Sequence, residues 1–202
     1  MKKHARLILL PVVGAALAFA SSAPAHGNAT TLHLYAPFKG ADVAQGVHVA
    51  RRARNYCWTT SLTDPRSNAY RCFAGKSRIH DPCFASDTGP HHVVLCPLPH
   101  PGSGVLLINL TRGLPTAQAN TTPTNSPPWA VHLQNGRWCE AMAGATGQYH
   151  GMRINYLCGG PSGRRGYLLG SPNRRSPLWT VFYGRKLSSS SYAKVKVVSA
   201  WW

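Results

Sequence analysis

From Tyr56 onward the chain is a succession of short apolar runs broken by Gly, Pro, Asn and Ser, a pattern that belongs to strands. Its sharpest signal is Trp129-Ala130-Val131-His132-Leu133-Gln134-Asn135-Gly136-Arg137-Trp138-Cys139-Glu140-Ala141-Met142. Asn-Gly between two such runs predicts a hairpin with a type I′ turn, in which both central residues need positive φ. Further strands are predicted over His92 to Cys96, Gly104 to Leu110, Met152 to Cys158, Tyr167 to Leu169 and Leu178 to Tyr183. Toward the C-terminus, Ala193-Lys194-Val195-Lys196-Val197 alternates lysine with valine, which predicts an edge strand whose lysines discourage pairing with another molecule. Leu114 to Pro128 shows no periodicity and is expected to be a loop. Ser126-Pro127-Pro128-Trp129-Ala130-Val131 is echoed by Ser176-Pro177-Leu178-Trp179-Thr180-Val181. Proline ahead of an aromatic strand is a common entry device, so the echo is taken as coincidence. The fold class that follows is all-β, a disulfide-stabilised sandwich or small barrel of about seven to eight short antiparallel strands. It forms one domain over residues 56–202.

Ahead of that body, Met1-Lys2-Lys3-His4-Ala5-Arg6 is a cationic head, Leu7 to Ala20 an apolar run, and Ala23-Pro24-Ala25 a small-residue cleavage pattern. These are the three parts of a secretory signal, so residues 1–25 are expected to be a signal peptide and the mature protein to be secreted and extracytoplasmic. The uncharged run falls short of the roughly 20 residues that cross a bilayer, so no membrane span is expected in the mature form. Residues 26–55 hold one short alternating run, Leu32 to Tyr35, and a stretch, Ala41 to Arg54, whose apolar positions fall on no single helical face. They are expected to form a partly flexible N-terminal arm.

Export decides how the cysteines are read. Cys57, Cys72, Cys83, Cys96, Cys139 and Cys158 are even in number, and in an exported chain that favours disulfides over zinc ligands or free thiols. Zinc sites bring ligands in close C-x-x-C pairs, which are missing here. Six cysteines leave about 15 connectivities open. The preferred one joins nearest neighbours, Cys57 to Cys72, Cys83 to Cys96 and Cys139 to Cys158, each bridge contributing roughly 3 kcal/mol in the chain-entropy model.

Charge adds a partner class. The chain has 22 lysines and arginines against five acids, Asp42, Asp64, Asp81, Asp87 and Glu140, for a net +17. Most of the cations therefore find no internal partner, and attraction to polyanions is the default expectation. Clusters fall at Arg51-Arg52-Ala53-Arg54, at Arg71 with Lys76 and Arg78, at Arg164-Arg165, at Arg174-Arg175 and at Arg185-Lys186. Arg164, Arg165, Arg174 and Arg175 sit in loop-tip sequences able to present guanidinium forks, and are the candidate anion-binding residues. Tyr167 and Tyr192 are candidates to stack on sugars or bases.

Acids stand in a suggestive setting only at His80-Asp81 and at Glu140, where a carboxylate, an imidazole and an arginine would suit a small hydrolase. Against that, Asp81 precedes Pro82, where Asp commonly opens a turn. Glu140 follows Cys139 on a strand, so it points away from the cysteine's face and is available to a neighbouring arginine. No catalytic residue is assigned. His91, His92, His80 and His100 lack a regular ligand spacing and are taken as exposed loop histidines, with no metal or cofactor. The run Cys158-Gly159-Gly160-Pro161-Ser162-Gly163-Arg164-Arg165-Gly166 has neither the G-x-S-x-G spacing of a hydrolase nucleophile nor the ending of a phosphate loop.

The series Cys57-Trp58, Arg66-Ser67-Asn68-Ala69-Tyr70-Arg71-Cys72, Asp81-Pro82-Cys83-Phe84, Cys96-Pro97, Pro128-Trp129-Ala130, Asn135-Gly136, Asn155-Tyr156-Leu157-Cys158 and Leu178-Trp179-Thr180-Val181 resembles an uncharacterised extracytoplasmic domain of actinobacterial secreted proteins, over roughly Cys57 to Trp202. The resemblance implies a secreted cysteine-paired module and carries no chemistry onto any position. The expected function is a monomeric, non-enzymatic secreted module that associates with anionic cell-envelope polymers or a protein partner, with nucleic acid attracted only by nonspecific charge. The alternatives are a small secreted hydrolase such as a ribonuclease, centred on His80, Asp81 or Glu140, and a protease inhibitor presenting the loop from Pro97 to Gly104.

Overall fold

The structure, a computed structural model, describes residues 27–75, 78–88, 91–99, 102–117, 122–144, 146–159, 166–186 and 191–202. The expected signal peptide, residues 1–25, lies outside them, as do Lys76, His100, Arg164, Arg165 and part of the loop from Pro97 to Gly104. Among the described residues there are sixteen strands and no α-helix, so none that is long and apolar enough to cross a membrane.

The N-terminal half contributes β1 (Thr31–His33), a small pair β2 (Phe38–Lys39) and β3 (Asp42–Val43), then β4 (Val49–Asn55), β5 (Cys57–Thr60), β6 (Ala69–Ala74), β7 (Arg78–Phe84), β8 (Val93–Pro97) and β9 (Val105–Leu110). Strands β5 to β9 form an antiparallel meander, and β4 joins it in parallel beside β9. Side chains alternate between the faces of a strand. One face of this sheet gathers Tyr70, Val94, Leu106 and Ile108 around the disulfides Cys57–Cys72 and Cys83–Cys96. On the other, Leu95, Val105 and Leu107 are covered by Tyr35, Phe38, Val47 and Val49.

The C-terminal half contributes β10 (Ala130–Leu133), β11 (Trp138–Ala141), β12 (Gln148–Tyr149), β13 (Met152–Gly159), β14 (Gly166–Asn173), β15 (Thr180–Gly184) and β16 (Tyr192–Trp201). Six of these, in the order β16-β10-β11-β13-β14-β15 and back to β16, close an antiparallel barrel. Strand β16 is long enough to serve both seams: its first half pairs with β15 and its second with β10. Valine and leucine side chains of alternate positions fill the interior with Tyr156, Trp179, Tyr183, Trp202 and the Cys139–Cys158 disulfide. The three disulfides are the nearest-neighbour set. Cys57 lies opposite Cys72, and Cys139 opposite Cys158, so each of these staples pins one strand register as well as shortening the unfolded chain.

Several local expectations change. The hairpin at Asn135-Gly136 forms, but only Gly136 has positive φ, at 76°. Leu133 N–H donates to Arg137 O and Gly136 N–H to Leu133 O. The loop is thus the three-residue kind closed by a left-handed glycine, not the two-residue type I′ turn. The lysine–valine strand β16 is no edge: barrel closure pairs it on both sides, with β1 added in parallel along its last residues, and its lysines simply face outward. Residues 27–55, set apart in the sequence as an arm, supply β1 to the barrel and β4 to the sheet. Asp81-Pro82 lies within β7 instead of opening a turn. The two tryptophans of the S-P-x-W-x-V echo are not equivalent, since Trp179 belongs to the barrel interior while Trp129 packs outside it against Tyr35.

Candidate binding cleft

Where the sheet meets the barrel, a cavity of about 350 Å³ opens, walled by Arg71, Arg78, Ile79, His80, Asp81, Pro82, Pro97 and Pro99 on the sheet side and by Trp129, Glu140, Ala141 and Ala143 on the other. A second cavity of about 390 Å³ shares Ala141 with it and is bordered by Ser61, Leu62, Thr63, Asn155 and Tyr156, among others. His80, Asp81 and Glu140, far apart in sequence, all border the first cavity, but they do not make one acid–base unit.

Asp81 is committed. Its Oδ1 accepts from Ser61 Oγ and, at 3.0 Å, from Thr63 Oγ1, while Oδ2 accepts from the Leu62 N–H at 3.1 Å. Arg71 Nε stands 3.8 Å from Oδ2, close enough for an ion pair and too far for a hydrogen bond, so that buried N–H has no acceptor among the described residues. Burial pushes the Asp81 carboxyl above its usual range, and the hydrogen bonds and Arg71 pull against that. The chemical role of Asp81 is to pin the loop after β5 onto β7.

His80 is oriented differently. On β7 it lies opposite Cys72, while Arg78 lies opposite Ala74, which puts the two on one face; Asp81, next along the strand, belongs to the other. Burial, then Arg78 and Arg51, push the imidazole below its ordinary pKa. Glu140 on β11 follows Cys139, whose side chain is inside the barrel, and so projects outward into the cleft, as alternation requires. No hydrogen bond or ion pair reaches its carboxyl from the described residues, and burial alone raises its pKa. Among the described residues, the arginine partner expected for it is not found.

Arg71 spans the two bodies. Its Nη2 reaches Ala143 O across the cleft at 3.4 Å, and its guanidinium lies over the Trp58 ring, 5.3 Å from the centroid. Trp58 in turn stacks on Phe73 with centroids 4.2 Å apart, Phe73 meets Tyr56, and Arg112 covers Tyr56 at 4.0 Å. With these ring faces taken, the ladder orders Arg71 and leaves little platform for a planar ligand.

The anion-binding candidates of the sequence are redistributed. Arg174 is internal: it donates to Thr124 O at 2.7 Å and to Ser126 O, and lies over the rings of Trp179 and Trp202. Both of its terminal nitrogens are thus committed to carbonyls of the same chain. Arg175 is exposed, and Arg164 and Arg165 lie outside the described residues. Tyr167 is buried, its hydroxyl donating to Lys186 O at 3.0 Å, whereas Tyr192 is exposed. Among the described residues no group of three or more His, Cys, Asp or Glu gathers as a metal site would require. Sequence reasoning missed Trp129, which is 3% exposed, walls the cleft, and carries a buried indole N–H with no acceptor among the described residues. Its position before a strand gave no sign of that role. No known family, curated protein or solved structure matches the chain.

Proposed function

We propose that the protein is a secreted binding module that holds an acidic envelope polymer, or the acidic surface of a protein partner, in the cleft between sheet and barrel. The observation that carries this reading is the charge of the cleft wall. Asp81 is spent on Ser61, Thr63, Leu62 and Arg71, which leaves Glu140 as the one uncommitted acid of the wall against Arg71 and Arg78. Arg78 has no ion pair among the described residues, and among them the Arg71 Nε–H has no hydrogen-bond acceptor. A concave wall of that sign attracts polyanions more strongly than scattered surface charge does. Export and the disulfides agree with the reading, since a loop-rich body outside the cell gains most from covalent staples.

Retention on immobilised polyanions is the direct test, with polyglycerol phosphate and polyglutamate as probes. Binding is expected at about 0.05 M salt and release by about 0.5 M, where screening shortens to a few ångströms. Ala143→Trp, which fills the cleft from the barrel side, should abolish retention, and Arg175→Ser, outside the cleft, should leave it nearly intact. The opposite ranking of these two variants would place the binding surface elsewhere.

A further inference from the structure

Two arginines and two carboxylic acids line the cavity between sheet and barrel, and they do not cancel in pairs. Arg71, Arg78 and Asp81 belong to the sheet wall, with His80 beside them, and Glu140 to the barrel wall. Asp81 answers Arg71, 3.8 Å from its Nε, and is otherwise taken up by Ser61, Thr63 and the Leu62 N–H. That leaves Arg78 and Glu140 over, which border one cavity without forming an ion pair among the described residues. Strand register fixes where the carboxyl stands. Glu140 lies opposite Ala130 on β10, the Ala141 N–H donates to Trp129 O at 2.8 Å, and the preceding Cys139 points into the barrel. From the sheet side Arg71 reaches the same stretch through its 3.4 Å contact between Nη2 and Ala143 O. Glu140 is half-buried, and among the described residues it accepts no hydrogen bond.

A carboxyl and guanidinium groups held apart in one cavity specify a ligand that carries both signs. An anion alone would meet Arg71 and Arg78 and be repelled by the Glu140 carboxylate, and a cation alone would meet the reverse. We propose that the cleft takes a zwitterionic unit, its anionic group held by Arg71 and Arg78 and its primary ammonium, a few bonds away, held by Glu140. The proposal rests on the reading of the cleft as an anion-binding surface and adds an amine to the unit that it binds. Guanidinium forks suit phosphate and carboxylate alike, and charge-assisted hydrogen bonds at both ends are stronger than those to the hydroxyls of a neutral sugar. An ammonium group on Glu140 also holds that carboxyl in its charged form against the effect of burial. A primary ammonium has three N–H groups to give to a carboxylate, whereas a quaternary one is recognised by a cage of ring faces. Among the described residues Trp129 is the one Trp, Tyr or Phe lining the cavity, so the primary amine fits and the quaternary does not.

The test is titration calorimetry of the oxidised protein at neutral pH and constant ionic strength. The zwitterionic probes are O-phosphoethanolamine and its carboxylate counterpart β-alanine. Methyl phosphate and propionate lack the amine, ethylamine lacks the anion, and phosphocholine has no proton on nitrogen to donate. One of the two zwitterions should bind about tenfold more tightly than its amine-free anion, than ethylamine and than phosphocholine, and which of them does so identifies the anionic group. Glu140→Gln keeps the shape and removes the charge. It should weaken the zwitterion about tenfold and leave the amine-free anion unchanged or tighter, while Arg78→Ser should weaken both. Ala143→Trp, which fills the cleft, should abolish zwitterion binding, and melting curves of each variant confirm that it is folded. Equal affinity for zwitterion and amine-free anion, ethylamine or phosphocholine bound as tightly as the zwitterion, or equal losses for both ligand classes in Glu140→Gln would each overturn the proposal. Polyanion retention that persists without any preference for the amine would remove the Glu140 contact and leave the cleft reading standing. Loss of retention together with all probe binding would remove both.

Discussion

Gly166 and Gly184 face each other's neighbours across β14 and β15. A Cβ on Gly166 would come within 2.6 Å of the Tyr183 ring, and a Cβ on Gly184 would run into the ring of Tyr167. The two tyrosines lie over glycine backbone on opposite sides of the barrel wall, Tyr183 with the interior cluster and Tyr167 with the outer one. Because both rings are buried, neither can swing aside without disturbing packing. Gly184→Ala should therefore cost about 1–3 kcal/mol, the usual penalty of overpacking a filled core. Gly113→Ala, where nothing lies within 4 Å, is the control, and equal melting temperatures for the two variants would show that the wall yields. At the same scale, Glu140 and His80 make stability depend on pH in opposite senses. Burial raises the Glu140 pKa above its unfolded value, so its contribution is intact below that value and is lost as pH rises through the folded one. His80 is depressed, so its contribution is intact above its unfolded pKa and is lost as pH falls toward the folded one. Glu140→Gln should thus melt higher than the parent at about pH 8 and converge with it at about pH 4. Thermal melts at both values check this, and a gap that fails to close in acid would mean that the carboxyl is not the group responsible.

At the scale of elements, legibility followed local pattern. Strands β10, β11, β13 and β16 were visible in the sequence because one side of each faces the barrel interior and the other is more open, which writes alternation directly into the residues. Strand β4 was not: Val49-Ala50-Arg51-Arg52-Ala53-Arg54-Asn55 puts arginines on both faces, which an end strand tolerates because both of its faces are largely exposed. Its parallel pairing with β9 joins residues that no local rule connects. Strand β7 carries Asp81-Pro82 in its length, where aspartate ahead of proline suggests a turn instead. Barrel closure was legible only as one of two options, since the same alternation serves sandwich and barrel, and the length of β16 decides between them. The cleft was the least legible part. Its residues were individually notable, as Glu140 and His80 were, but their assembly depends on how the β7 side of the sheet lies against β11 and Trp129. Arg174 shows the converse: its sequence setting suggested a loop tip, and Trp179, Trp202 and two carbonyls claim it.

For the whole molecule, the question is what makes sheet and barrel one body, since the cleft has meaning only if its walls keep their spacing. Tyr35 is the residue that touches both. Its N–H donates to Trp202 O at the end of the barrel strand, and its C=O accepts from Arg66 Nη1 at 2.6 Å. Arg66 itself is held by Asp64, through a bridge of 2.8 Å, and lies over Phe84. The Tyr35 ring packs between Phe84 of the sheet, with centroids 5.5 Å apart, and Trp129 of the cleft wall, at 5.6 Å. Burial pushes its phenol up to about 12, so the ring stays neutral across any physiological pH and the joint does not titrate. Arg71 makes the other bridge, with the weaker 3.4 Å contact to Ala143 O. Each body keeps its own core and its own disulfides, so loss of the joint should separate them without unfolding either. Tyr35→Ala removes the shared ring and should lower stability by about 2 kcal/mol, less than truncation of a fully buried aromatic. Calorimetry should then resolve two transitions where the parent shows one. Amide exchange should accelerate around Trp129 and Phe84 while the barrel interior stays protected. Polyanion retention should fall with it, because Arg78 and the barrel wall no longer hold a fixed distance. A single transition with undiminished retention would show that Arg71 suffices, and that Tyr35 is a spectator at the joint.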